Sequence, residues 1–535
     1  MTAYLISIFA ICGIYMILNF KHDIQMLQQN SYRIDRYWKW VQPNISSAWR
    51  LVDVALLFLL FSTLLNPLIS AALIAITAIV KCIMILKKKS KKPLVFTKRV
   101  WRIYSVTAFI SIAMYGLSIA CAVTGISSAW WYVESDVAIP IGVLLITTTF
   151  SWAIVIISVV ILSPVEKSIN RKYWNEADHM LRSMPDLTII GITGSFGKTS
   201  TKHYLTRILS EQFDVLMTPG SFNTPMGVIR TVREQLRPNH KIFVCEMGAK
   251  QKGDIKEICD LVHPEIGIIT AVGPMHLESF RSIENVQGTK FELADSLPSD
   301  GLAVINNDFE YCANRNVNNV KAIRYTVNDR NDAQYFGRNI SYSPQGTSFT
   351  VTGPDGYTIE LTTRLVGECN ISNLIGAVIV AKHLGVPDEK IRYAVSHIEQ
   401  VEHRLNIKRT PGGINIIDDA FNSNPSGSKM AVDVLEGFSS GKRIIVTPGM
   451  IELGDKQFEL NREFGTYIAG KADVVIVVGQ YNREAILSGL KFPENAGKMK
   501  IIVVDSFDQA QQELSGIMTS GDTVLYENDL PDTFK

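Results

Sequence analysis

Several things that this 535-residue chain lacks narrow its reading. No two of its seven cysteines stand at Cys-x-x-Cys spacing. That excludes a zinc knuckle and offers no disulfide framework, so the thiols read as small apolar side chains. An excess of charge of one sign is missing too: 53 basic residues stand against 51 acidic ones, and no nucleic-acid partner is expected. No repeat recurs at fixed spacing, and the only low-complexity tract is KKKSKK at 87–92. The segment Met1–Tyr4 has no basic cluster and no small-residue cleavage site follows the first apolar run, which speaks against a cleavable signal peptide.

What the chain has is apolar sequence, with a mean hydropathy of +0.13, collected in its first third. Five runs, Tyr4–Phe20, Leu51–Leu65, Leu68–Leu86, Ile103–Thr124 and Val137–Leu162, approach the length of a membrane span, about 20 residues. Lys21, Arg33, Arg36, Lys39 and Arg50 follow the first, and eight basic residues lie between Lys87 and Arg102. SSAWWYVESD, at 127–136, has no Lys or Arg. The positive-inside rule then predicts an outside N-terminus, five spans and everything after about residue 165 inside. The expectation is a multi-pass protein of the inner (plasma) membrane in contact with lipid, its catalytic part cytoplasmic. Lys81 is expected to snorkel to the interface. The stretch 166–186 suits either a membrane-lying helix, with Trp174, Met180 and Leu181 toward lipid, or equally a plain connecting helix.

From residue 166 onward, short β-branched runs alternate with amphipathic stretches. LTIIGIT (187–193), KIFVCEM (241–247), EIGIITAV (265–272), GLAVIN (301–306), INIIDDA (414–420), KRIIVTPG (442–449), ADVVIVVG (472–479), KIIVVD (500–505) and DTVLYE (522–527) read as buried strands of mainly parallel sheets. NISYSPQGTSFTV and YTIELTT, separated by Pro-Asp-Gly, read as an appended antiparallel hairpin.

The first run leads into TGSFGKTS, residues 193–200, and then into a helical pattern. Strand, glycine turn and helix start form the context of a phosphate site. The common G-x-x-x-x-G-K-[ST] spacing is not met, because Ile192 stands where its first glycine belongs. Gly194 and Gly197 let backbone N–H groups approach an anion, Lys198 would reach the β- and γ-phosphates, and Thr199 would offer its hydroxyl to Mg²⁺.

That shortened loop resembles the ATP loop of the Mur ligases, which join an amino acid or peptide to a cell-wall precursor through an acyl phosphate. Further motifs resemble that family in its own order. They are EMGAKQKGDI at 246–255, VGPMHLESF at 272–280, GTKFELADSL at 288–297, GLAVINNDF at 301–309, LVGECNISN at 365–373, HRLNI at 403–407, DDAFNSNPSG at 418–427 and VTPGMIELGDK at 446–456.

The resemblance covers about residues 185–530 and is nearest to the branch that adds D-alanyl-D-alanine. It implies a P-loop ATPase-like central domain (166–400) and a Rossmann-like C-terminal domain (401–535), here behind an α-helical membrane domain (1–165). ATP and Mg²⁺ are the implied cofactors. The substrates would be a cell-envelope precursor and an amino acid or dipeptide; oligomeric state is not indicated. Nucleotide contacts carried over are Thr193, Gly194, Ser195, Phe196, Gly197, Lys198, Thr199, Ser200, Asn306, Asn370, Asn373, Arg404, Asp419, Asn422 and Asn424. Metal ligands would be Thr199, Glu246, His276 and a carbamylated Lys290, and the catalytic set Lys198, His276, Lys290 and Arg404.

Departures are Phe309 and Cys369 where an acid and a histidine are usual, Phe421 for a tyrosine, and YENDLPDTF (526–534) in place of a Lys-Gly-Ser-Arg-like segment. The family's soluble uridine-nucleotide-binding domain is replaced by the apolar third. Two other readings stay open: a non-ligating regulatory nucleotide module, and a transporter energised by ATP.

Overall fold

The computed structural model describes residues 2–45, 67–87, 92–123, 142–143, 145–328, 332–343, 346–420, 423–491 and 499–529. The expected second span, the loop 127–136 and Asn422 lie outside them. The chain divides into two units, Met1–Ile169 and Asn170–Leu530.

The first unit is helical: α1 (Thr2–Gln29), α2 (Ile34–Ile45), α3 (Pro67–Lys87), α4 (Lys98–Val123) and the start of α5 (Ser151–Arg182). Many of its large apolar side chains face outward; Phe109 is 73%, Ile112 70% and Leu117 67% exposed. Two stretches among the described residues, Lys98–Leu117 and Ser151–Arg182, are long and apolar enough to cross a membrane, and only 22% and 28% of their apolar windows are buried. Asn19 and Asp23, one turn apart on α1, are buried; Asn19 Nδ2 donates to the Thr148 carbonyl at 3.0 Å, and Asp23 accepts from the Ser151 hydroxyl. Lys81, expected to snorkel, is instead 1% exposed.

Of the two readings of 166–186, the connecting helix is the one that forms, and the lipid-facing one is not. The boundary drawn at 165 falls inside α5, and the helix's last turns pack on the second unit's core: Ala177 and Leu181 are buried there, with Tyr173, Trp174 and Met180 against them. Arg233 clamps this end, pairing with Glu176 at 2.7 Å and covering the Tyr173 ring at 4.1 Å. The apolar stripe that could have faced lipid faces protein, and composition alone does not distinguish these partners.

The second unit holds two sheets. Its strands are β1 (Thr188–Thr193), β2 (Val215–Met217), β3 (Ile242–Glu246), β4 (Ile266–Ile269), β5 (Leu302–Asn306), β6 (Lys321–Thr326), β7 (Tyr335–Ser343), β8 (Gly346–Thr352), β9 (Thr358–Thr363), β10 (Asn406–Arg409), β11 (Asn415–Asp419), β12 (Arg443–Thr447), β13 (Val474–Val478), β14 (Lys500–Val504) and β15 (Thr523–Glu527).

The first sheet runs β2-β3-β1-β4-β5-β6-β7-β8-β9, parallel as far as β7 and antiparallel beyond. The run read as one arm of a hairpin splits into β7 and β8, so the appendage is a three-stranded meander continuous with the main sheet. Its neighbouring strand residues point to opposite faces. Ile190, Ile192, Ile242 and Val244 face the helices Lys198–Leu209, Glu368–His383 and Asp388–Ser396. Ile189, Phe243 and Cys245 face Pro225–Gln235, Asp254–Val262 and Ile283–Asp295. Burial on both sides explains why the strands read as unbroken apolar runs.

The second sheet, β10-β11-β15-β12-β13-β14, is parallel except for β10. One face is covered by Pro425–Glu436, Gln457–Ile468 and Arg483–Leu490, the other by Phe507–Ile517. Pro425 stands at the first helical position and the Asn424 side chain accepts from Gly427 N at 2.9 Å, a capped start that turns the chain sharply out of the loop after β11.

Candidate functional site

The loop after β1 ends on the helix Lys198–Leu209 with its glycines in conformations that side chains disfavour: φ is +155° at Gly194 and +81° at Gly197. A Cβ on Gly194 would lie 2.1 Å from Thr270 Oγ1, and one on Gly197 2.3 Å from Asn373 Oδ1. The loop is pinned from outside. Thr193 Oγ1 donates to the Met247 carbonyl at 3.0 Å, Ser195 exchanges hydrogen bonds with Gly273, and Thr270 Oγ1 donates to the Phe196 carbonyl. Lys198 Nζ folds back over the turn, onto the carbonyls of Gly194 at 2.8 Å and Ser195 at 3.3 Å.

Ser195–Ser200 line one pocket together with Met275, Arg404 and Asn424, so the second sheet's loops close on the phosphate loop. Two basic groups, Lys198 and Arg404, line this pocket, and Lys290 and His276 extend a chain of electrostatically coupled basic groups from it. Burial pushes Lys198 down to about 8, with Glu246 pulling it up and Arg404 pushing it further down. Burial and the charge of Lys198 push Lys290 down to about 7. Burial also lowers Arg404, against the pull of Asp419 and Glu246. His276 is lowered by burial, with Glu452 opposing and Lys250 and Lys290 adding. A site that suppresses its own cations in this way is relieved by a polyanion.

Glu246 ends β3 and is 1% exposed. Its Oε1 accepts from Thr199 Oγ1 at 3.2 Å and Asn223 Nδ2 at 3.0 Å, while Lys202 Nζ stands 3.1 Å from Oε2. Burial alone would raise this carboxyl, but Lys202 and Lys198 outweigh it and hold it below its ordinary value. Among the described residues no three His, Cys, Asp or Glu side chains gather as a metal cage. A threonine hydroxyl beside one buried carboxylate is instead the donor set of Mg²⁺, which keeps waters and takes its remaining ligands from phosphates. The residues fit that ion.

The other expected residues divide. Lys290 is 3% exposed and makes no hydrogen bond or ion pair among the described residues. His276 has φ +52° and its Nδ1 meets Glu452, which also pairs with Lys250 at 3.5 Å; the imidazole is turned to a loop of the second sheet, not to Glu246. Asn306 Nδ2 donates to the Thr270 carbonyl and Ser372 Oγ, both at 2.9 Å, and Asn370 bonds Tyr204 and the Val366 carbonyl. Neither asparagine is among the pocket's lining residues. Asn373 abuts Gly197. The Asp419 Oδ1 accepts from Leu405 N at 3.1 Å; burial and then Glu527 push its carboxyl up to about 7, with Arg404 opposing.

Lys202, Asn223 and Lys250 went unread in the sequence. Lys202 follows Lys198 by one helical turn, so helical periodicity could have found it. Asn223 and Lys250 carry no local signal.

Family models match twice: the Mur ligase middle domain over residues 192–381, and the Mur ligase, glutamate ligase domain over 403–526. The UDP-N-acetylmuramoyl-tripeptide--D-alanyl-D-alanine ligase of Bacillus subtilis is 32% identical over 296 residues, 55% of this chain and 63% of that protein. Its counterpart in Haemophilus influenzae is 30% identical over 342 residues, 62% of this chain and 73% of that protein. The chain thus spans somewhat under two thirds of the first relative and somewhat over two thirds of the second. A crystal structure of MurF from Acinetobacter baumannii superposes with a TM-score of 0.61 at 25% identity, covering 68% of this chain and 78% of that one.

Proposed function

This chain belongs to the Mur ligase family, and we propose that it is an ATP-dependent carbon–nitrogen ligase. It would join an amino acid or dipeptide to the carboxyl group of a peptidoglycan or related envelope precursor through an acyl phosphate. The observation that carries this reading is the single pocket lined by the phosphate loop and by Arg404 and Asn424. The names of the relatives favour D-alanyl-D-alanine as the amine and a UDP-linked muramoyl tripeptide as the carboxylate.

In this reading the backbone amides of Gly194–Gly197 cradle the polyphosphate, and Lys198 leaves its carbonyl contacts to meet the transferred phosphoryl group. Arg404 neutralises charge from the opposite wall, and the loop bearing Asp419, Asn422 and Asn424 completes the enclosure. Thr199 and Glu246 would hold Mg²⁺, which when bound supplies positive charge to phosphate oxygens. Lys290, buried and with a neutral amine accessible near pH 7, is chemically suited to carbamylation, which would turn it into an oxygen donor. His276 is held by Glu452 at the seam between the two sheets. Residues 166–400 form the ATP-binding domain and 401–535 the closing domain.

The N-terminal helices are proposed to anchor the enzyme in the membrane, with the ligase on the cytoplasmic side. The support is the run of exposed large apolar side chains on α4 and on the first turns of α5, and the low burial of their apolar windows. An anchored ligase would favour an acceptor held at the same surface.

The deciding assay is phosphate release by the purified full chain in lipid, with Mg·ATP, D-alanyl-D-alanine and either a UDP-linked or a lipid-linked muramoyl tripeptide. Release that needs both carboxylate and amine is expected. Nucleotide binding with no release would defeat the ligase reading and favour the non-ligating regulatory module; release indifferent to both substrates would defeat it in favour of an ATP-energised transporter. Recovery of the chain in the soluble fraction after carbonate extraction would defeat the anchor.

A further inference from the structure

Lys202 has no part in the roles assigned above, yet it is fully buried within the site. It lies on the same helix face as Lys198, and its side chain is 0% exposed beside a Glu246 side chain that is 1% exposed. A lysine is almost never buried without a reason. Its Nζ donates to the Gly220 carbonyl at 2.6 Å and stands 3.1 Å from Glu246 Oε2. The two carboxylate oxygens are thereby divided. Oε2 faces the ammonium, and Oε1 faces Thr199 and Asn223.

The same contacts fasten the segment 218–223 to the end of β3. Glu246 N donates to Thr218 Oγ1 at 3.0 Å, Gly248 N donates to the Asn223 carbonyl at 2.7 Å, and a Cβ on Gly248 would lie 2.7 Å from the Asn223 side chain. Lys202 reaches this segment and the carboxylate at once.

We propose that Lys202 is a positioning residue: it holds the Oε2 side of Glu246 so that Oε1 and the Thr199 hydroxyl are presented together to a divalent cation, and it locks segment 218–223 to that carboxylate. The cation half of this statement rests on the ligase reading. Removing one partner of a buried ion pair leaves the other charge uncompensated. A divalent cation at Oε1 is the natural substitute, so loss of Lys202 should make the fold lean on that cation.

The test uses the full chain in lipid. Thermal unfolding of the wild type, Lys202→Met and the double variant Lys202→Met/Glu246→Gln is followed in EDTA and in millimolar Mg²⁺. Mg·ADP affinity is measured by calorimetry, and hydrogen exchange is read over 218–223 and over the helix Asp254–Val262. In EDTA, Lys202→Met should melt below the wild type; Mg²⁺ alone should raise its melting temperature by more than it raises that of the wild type; and the double variant should recover in EDTA. Exchange in the single variant should be faster over 218–223 and unchanged over the helix Asp254–Val262. A single variant that fails to fold beside a folded double variant supports the same conclusion.

An unchanged melting temperature for Lys202→Met in EDTA, a Mg²⁺ response equal to that of the wild type, or a double variant as unstable as the single one would overturn it. A wild type that binds no Mg·ADP would defeat the ligase reading instead, while the EDTA and double-variant comparisons would still decide whether Lys202 holds Glu246.

Discussion

Replacing Lys290 by Met should stabilise the chain at neutral pH while ending its activity. The side chain is 3% exposed, has no hydrogen-bond or ion-pair partner among the described residues, and titrates at about 7 because burial and then the charge of Lys198 disfavour its ammonium form. An unfolded lysine titrates near ~10.4, and each pKa unit is worth about 1.36 kcal/mol. Below pH 7 both states carry the proton, and the folded state bears the whole cost of the buried cation, on the order of 4 kcal/mol. Between about 7 and 10.4 the unfolded chain binds more protons, so wild-type stability rises with pH and the cost fades. Methionine is close in length, apolar and free of it.

The assay is denaturant unfolding in CO₂-free buffer at pH values of about 6, 8 and 10. The variant should lead by several kcal/mol at the lowest pH and by almost nothing at the highest. Added bicarbonate supplies a further arm. At pH 7 roughly half of Lys290 is the neutral amine that reacts with CO₂, against about one in 2,500 for an ordinary lysine. Bicarbonate should therefore stabilise the wild type and leave the variant unmoved. A variant less stable than the wild type at pH 6, or a difference that does not change with pH, would refute the reasoning.

Two further predictions concern the pocket. Lys198→Ala should lower the rate of phosphate release by about 100-fold or more, the usual loss for a well-placed charge-stabilising donor; a loss under threefold would remove Lys198 from the phosphates. Asp419, pushed up to about 7 by burial and Glu527, keeps a proton in the folded state that the unfolded chain releases near pH 4, so stability falls as pH climbs from about 4 to 7. Asp419→Asn should raise the melting temperature above pH 7 and leave it unchanged near pH 4, and a variant destabilised at pH 8 would contradict this.

The fold was legible wherever a strand is an unbroken apolar run, whether central in its sheet or, like β14, at its edge. The nine apolar runs coincide with β1, β3, β4, β5, β11, β12, β13, β14 and β15. β2 has three residues, and β10 is an edge strand with an exposed Lys408 and Arg409, so neither leaves a run to read. The phosphate loop was legible because its function is local: strand, glycines and helix start follow one another. The contacts that close the site were not. Thr199 meets Glu246 across 47 residues and His276 meets Glu452 across 176, and no periodicity encodes such separations. The end of α5 was ambiguous for another reason, since one amphipathic stripe serves lipid or protein equally well.

The positions where this chain departs from the family pattern bear on whether it still works as a ligase. Phe309, in place of an acid, packs edge-on against Phe196 with ring centroids 4.9 Å apart, stiffening the phosphate loop from behind. Cys369 sits against the core of the second sheet, its thiol pushed up to about 12 by burial and Asp419, so it serves as an apolar filler and not as a nucleophile. Glu527, where a basic segment is usual, is fully buried and accepts hydrogen bonds from Ser423, Ser428 and Thr447. That carboxylate ties together the loops that carry Asn424 and Glu452. Phe309, Cys369 and Glu527 have thus acquired packing or hydrogen-bonding partners of their own, and none of the three is among the pocket's lining residues. At the pocket and among the groups coupled to it, the cationic forms of Lys198, Lys290 and Arg404 are all disfavoured by burial while Glu246 stays anionic beside them, an imbalance that a bound polyanion with its cation would relieve.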